Sequence, residues 1–113
     1  MKVSFEGVGE QVLSFGKAEG VNKGSLVKIG ANASVSACSA GDKFAGVCIN
    51  ADSAFAEVQT AGYVELGYTG TAPALGYANL VAANANAVKA DSTGREYLVI
   101  KVDTAAARVG FII

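Results

Sequence analysis

The chain carries two thiols, Cys38 and Cys48, together with ten carboxylates and nine basic side chains, but no histidine and no tryptophan. Histidine is the commonest general base near neutral pH and the commonest metal ligand. Without it, a cysteine nucleophile lacks the imidazole that usually activates it. Two thiolates do not close a structural zinc site, which takes four ligands. Cys38 and Cys48 are therefore expected to be free, buried thiols. Among the carboxylates, Asp91 and Glu96 flank Gly94-Arg95, and Asp42 follows Gly41. Aspartate in such places bonds its own backbone in turns, and that reading is preferred to an acid–base pair.

Phosphate chemistry finds no better footing. Lys23-Gly24-Ser25 has the residue types of a phosphate-binding loop in the wrong order, and it opens a strand where a helix is needed. Gly7-Val8-Gly9 begins a dinucleotide fingerprint, but its third glycine would fall at Val12. Glu19-Gly20-Val21, with Gly24 and Leu26-Val27, is similar to a turn in biotinyl and lipoyl carrier domains, which present a lysine at a hairpin tip. Here Lys28 falls inside an expected strand, and Lys89 lies between Val88 and Ala90. A carrier, or a small ligand-binding β domain of a bacterial complex, is the alternative reading. No catalytic residue, cofactor or metal is expected, and the chain reads as a non-enzyme.

The elements that would position these residues are strands. At 113 residues the chain is one domain's worth of sequence, and 51% hydrophobic against 17% charged residues excludes a disordered chain. Fourteen glycines and frequent Ala, Asn and Ser point to short strands and tight turns, giving an all-β fold, or a β-rich one with at most short helices. Alternation marks strands at Gln11–Phe15, Ser25–Ile29, Ser34–Cys38, Phe44–Ile49, Tyr63–Leu66, Glu96–Val102 and Arg108–Ile113. Asp52–Ala61 has a helical capping residue, but its alternation of Phe55, Glu57 and Gln59 favours strand. Lys2–Glu6 reads as a strand or an extended arm, so residues 1–16 are set apart from a single domain over 17–113. The apolar last strand should tie the C-terminus into the sheet.

One repeat is visible. Gly24-Ser25-Leu26-Val27, Asn32 and Val35-Ser36-Ala37 are answered by Gly76 through Leu80-Val81, Asn86 and Val88-Lys89-Ala90, with the two Leu-Val pairs 54 positions apart. The expectation is a compact, partly barrel-like domain with two related hairpin lobes.

Charge and hydropathy bear on partners. A net charge of −1 is a poor basis for gripping duplex nucleic acid, and the tyrosine-rich 63–77 stretch has no interleaved Lys or Arg to hold a single strand. No apolar run approaches the ~20 residues of a membrane span. The start, Met1-Lys2-Val3-Ser4-Phe5-Glu6, lacks the apolar core of a secretory leader, so synthesis in the cytosol is expected. Mean hydropathy is +0.36, and few charges are available to cover a small domain. Apolar surface must then face partners, and exposed strand edges are expected to template pairing. A homo-oligomer or a docked subunit follows.

The order of these turn and strand signatures resembles the capsid decoration (cement) proteins of tailed bacteriophages, similar in character to the lambda-type head decoration protein. The resemblance spans nearly the whole chain. It runs through Gly20-Val21-Asn22-Lys23-Gly24-Ser25-Leu26-Val27-Lys28, Val35-Ser36-Ala37, Gly41-Asp42-Lys43-Phe44-Ala45-Gly46-Val47 and Gly62-Tyr63-Val64. It continues through Thr71-Ala72-Pro73-Ala74-Leu75-Gly76-Tyr77 with Leu80, and closes on Tyr97-Leu98-Val99-Ile100-Lys101-Val102-Asp103. It implies a structural virion protein on the outer capsid surface, present in the host cytoplasm during assembly. The implied partners are the major capsid protein and other copies of the chain, with a homotrimer favoured, and neither nucleic acid nor membrane. Candidate contacts are Val3, Phe5 and Val8 on an N-terminal arm, and Tyr68, Thr71 and Pro73 in a following loop.

Overall fold

A computed structural model describes residues 9–113. All regular structure in them is strand. The ten strands are β1 Gln11–Lys17, β2 Leu26–Ala31, β3 Ser34–Ala37, β4 Gly46–Ala51, β5 Phe55–Ala61, β6 Tyr63–Tyr68, β7 Gly76–Ala82, β8 Ala87–Ala90, β9 Arg95–Asp103 and β10 Arg108–Ile112. The 52–61 stretch is strand over β5, as its alternation indicates. β1 runs through position 17 and belongs to the first sheet, paired with both β3 and β5.

The strands close into two five-stranded barrels, β1-β3-β2-β4-β5 and β10-β6-β8-β7-β9. The lobes are thus larger than the hairpins expected. Closure also overturns the expectation of exposed edge strands, because every strand has a partner on each side, and a closed sheet has no free edge along its paired length.

The two barrels are built alike. In the first, β1 runs parallel to β3 and antiparallel to β5; in the second, β6 runs parallel to β8 and antiparallel to β10. Gly16 pairs with Ser34 and Phe55, and Gly67, 51 positions on, pairs with Ala87 and Arg108. Both barrels carry a β-bulge at the same place. It sits at Ile49 between Cys48 and Asn50, and at Ile100 between Val99 and Lys101. After each bulge an aspartate closes the next turn. Asp52 Oδ1 accepts the N–H groups of Ala54 and Phe55, and Asp103 Oδ1 those of Ala105 and Ala106.

The hairpins follow a different spacing. Val27 pairs with Ala37 and Leu80 with Ala90, so Val27 corresponds to Leu80, 53 positions on. The repeat read from the sequence, which laid Leu26-Val27 on Leu80-Val81, is therefore out by one residue. β7 holds two residues more than β2 between its β9-paired and β8-paired halves. The place of Leu26 is consequently shared by Tyr77, against β9, and Asn79, against β8. Asn79 C=O accepts Asp91 N–H as Leu26 C=O accepts Cys38 N–H.

The cores are unequal. Val21, Val27, Val35, Cys48, Ala56 and Val58 fill the first barrel. A larger cluster fills the second and reaches into the first lobe, joining Leu26, Cys38, Phe44 and Val47 to Leu80, Tyr97, Val99 and Phe111. The β3–β4 loop makes this connection. Its Phe44 stacks on Tyr97, with centroids 5.1 Å apart, and meets Phe111 edge-on at 6.0 Å. Backbone bonds fasten the same loop: Gly41 N–H donates to Ala82 C=O and Ala82 N–H to Asp42 C=O. The C-terminus is held as expected, with Ile113 and Gly62 exchanging backbone hydrogen bonds.

Candidate interaction surface

The thiols and the aspartates that the sequence singled out serve the fold. Cys38 and Cys48 are free and buried. Burial, with Asp42 adding to it, pushes the Cys38 thiol up to about 11, and burial also raises the Cys48 thiol. Both are protonated near neutral pH and make poor nucleophiles. Lys28 Nζ lies 2.7 Å from Asp42 Oδ2, an oxygen that also accepts Ser39 N–H. The hydrogen bond from Lys28 lowers the Asp42 carboxyl, and the same bond raises the Lys28 ammonium. Asp91 Oδ1 accepts the hydroxyl and the backbone N–H of Thr93, which hold its carboxyl low. These aspartates do the turn work that the sequence suggested. Lys28 sits in β2 with its ammonium on Asp42, and Lys89 sits in β8, so neither is presented at a hairpin tip. Among the described residues no group of three or more His, Cys, Asp or Glu could hold a metal ion.

The outer surface carries the more distinctive arrangement. Among the described residues, large apolar side chains stand exposed at Val12, Leu13, Ile29, Phe55, Leu75, Tyr77 and Leu98. Strand register groups several of them. Tyr77 pairs with Leu98 across β7 and β9, and Leu98 pairs with the half-buried Ile112 on β10. The pleat turns Tyr97 and Val99 inward and leaves Leu98 outward, so the three form one row across the second barrel. Leu75, also exposed, directly precedes β7. On the first barrel, Phe55 opens β5, and Ile29 stands in the last half of β2, ahead of the Asn32-Ala33 turn.

The loop candidates fare differently from one another. Thr71 is exposed. Tyr68 is half-buried and packs against the larger core cluster, so its ring serves the fold. Pro73 is buried, which corrects its placement as a surface contact: the loop folds its only proline inward and shows Ala72, Ala74 and Leu75 instead. Val3, Phe5 and Val8 lie outside the described residues. Sequence reasoning missed Tyr77, Leu98 and Ile29. The alternation of Tyr97 and Val99 about Leu98 was the available signal, but it reveals a face only once the buried side is known. No family model matches the chain, and no curated protein and no solved structure matches it.

Proposed function

We propose that this chain is a structural protein of a phage particle that binds the outer surface of the assembled head and stabilises its lattice. The observation that carries the reading is the row of Tyr77, Leu98 and Ile112 on the outside of a closed barrel. Contiguous apolar surface of this kind marks a protein interface. Two further features agree with it. The two thiols are buried and the four aspartates hold turns, and the resemblance to decoration proteins rests on the same turns and strands. The binding partner is the major capsid protein, and the working form is a homotrimer that bridges neighbouring capsid subunits.

The mechanism is mass action. A protein that binds the intact lattice and not its disrupted form stabilises that lattice by linkage. A trimer touching several subunits multiplies modest contacts by avidity. The test mixes the purified chain with expanded and unexpanded empty heads and sediments them. Saturable co-sedimentation with expanded heads is expected. Recovery of all the protein in the supernatant with both kinds of head would refute the reading.

A further inference from the structure

The two barrels share one architecture but not one exposure. Leu26 pairs with Val47 in the first barrel, and both are buried in the cluster shared with the second lobe. Tyr77 pairs with Leu98 at the same place in the second barrel, where Leu98 precedes the buried Val99 and the Ile100 bulge as Val47 precedes Cys48 and Ile49. Tyr77 is 69% exposed and Leu98 37%.

The other side of the lobe contact has the same imbalance. Ala82 is fully buried and bonded through its backbone to Gly41 and Asp42, and Ala85, in the turn after β7, accepts Leu26 N–H at 2.7 Å. The counterpart of Ala82 is Ile29, since Ala82 pairs with Val88 as Ile29 pairs with Val35. Ile29 is 54% exposed, and residues 30–33, which end β2 and turn into β3, are exposed throughout. Each molecule therefore uses one donor surface and one acceptor surface to hold its own lobes together. It presents the remaining donor and the remaining acceptor to solvent.

We infer that copies of this chain associate head to tail, with Ile29 and residues 30–33 of one copy seated on the Tyr77–Leu98 face of the next. The contact repeats between molecules the one that joins the lobes within each. A shallow groove at the receiving site is lined by Ala72, Ala74 and Ala90 together with Tyr77, Asn79 and Asp91. Its small side chains admit close approach of a turn's backbone. β8 pairs with β7 only at Leu80–Ala82, so the Gly76–Asn79 half of β7 has this groove on its β8 side. Leu26, by comparison, meets the turn containing Ala85. Donor and acceptor patches differ, so the contact is heterologous, and it makes a ring where the rotation from copy to copy closes. A ring of three copies follows where this inference rests on the trimer proposed above.

The experiment uses two surface variants, Ile29→Asp and Leu98→Asp, each checked for an unchanged circular dichroism spectrum and followed by analytical ultracentrifugation without capsids. The wild type is expected to sediment as a closed oligomer and each variant alone as a monomer. Mixed, the two variants should form a 1:1 heterodimer, because one retains the acceptor and the other the donor. An oligomer unaffected by either change overturns the inference, as does a mixture that stays monomeric. A wild type that is monomeric at all concentrations overturns it as well. Monomers that still bind heads would leave the decoration reading standing, and rings that ignore heads would leave only this one.

Discussion

Phe44 and Tyr97 lie face to face across the two lobes, with ring planes 9° from parallel. Phe44 comes from the β3–β4 loop of the first lobe and Tyr97 from β9 of the second, and both are buried. Tyr97 also carries Arg95 at 5.2 Å from its centroid and packs on Phe111. The stack ties the first lobe's β3–β4 loop into the core of the second barrel.

Replacing Phe44 with alanine should cost about 3–5 kcal/mol of unfolding free energy, the usual range for a buried phenylalanine. Its larger effect should be on cooperativity. Wild-type protein is expected to unfold in urea in one transition by fluorescence and by circular dichroism alike. Phe44→Ala should separate the two probes, because the tyrosines crowd the second lobe. Coincident transitions in the variant would show that the lobes are joined by other means.

The Lys28–Asp42 pair sets a pH dependence at both ends of the scale. The Asp42 carboxyl is lowered by folding, so its contribution is present above the unfolded value of about 3.9 and fades as pH falls through the folded one. The Lys28 ammonium is raised, so its contribution is present below about 10.4 and fades as pH rises through the folded value. Asp42→Asn should therefore lessen the slope of the stability profile above pH 10 and below pH 4, with Cys38 and Tyr97, both raised by burial, keeping part of the alkaline slope. Asp52 and Asp91 are also lowered, by backbone and threonine donors, so part of the acid slope should remain. Urea titrations across the pH range measure this.

Two glycines make a matched test of the barrel packing. A methyl group on Gly46 would overlap the Gln59 carbonyl oxygen and Val58 Cγ1, whereas one on Gly67 would meet nothing closer than 3.7 Å. Gly46→Ala should destabilise by about 1–3 kcal/mol or more, as overpacking does. Gly67→Ala should be nearly neutral, and thermal melts of the pair decide it.

Thiol labelling reports on the buried cysteines. With Cys38 raised to about 11, on the order of one molecule in a thousand holds a thiolate there at pH 8. Cys38 and Cys48 should react with a disulfide reagent only at the rate of unfolding, and both should react at once in denaturant. Rapid labelling of either in the native state would contradict the buried placement.

Much of this fold is legible locally. The alternation of Phe55, Glu57 and Gln59 predicts β5, and the Gly30-Ala31-Asn32-Ala33 turn predicts the β2–β3 hairpin, in which Ala33 takes a positive φ of 54°. Aspartates beside glycines announce their turns. Barrel closure is not legible, because the parallel pairing of β1 with β3 joins segments whose own patterns do not name each other. The register of the repeat is hidden for a similar reason: the two residues added in β7 shift Leu80-Val81 against Leu26-Val27. Phe44 looks like any strand aromatic, and only the docking of its loop reveals that it crosses between lobes. The exposed Tyr77–Leu98 row was equally hidden, since which face of β9 is outward depends on what fills the barrel.

The most direct test of the central proposal is the temperature at which expanded heads rupture as the chain is titrated in. Linkage predicts a saturable rise, because only intact lattice binds the protein. The rise should shrink when Tyr77 and Leu98 are replaced together by aspartate. A rupture temperature that does not move with added wild-type protein would contradict the account.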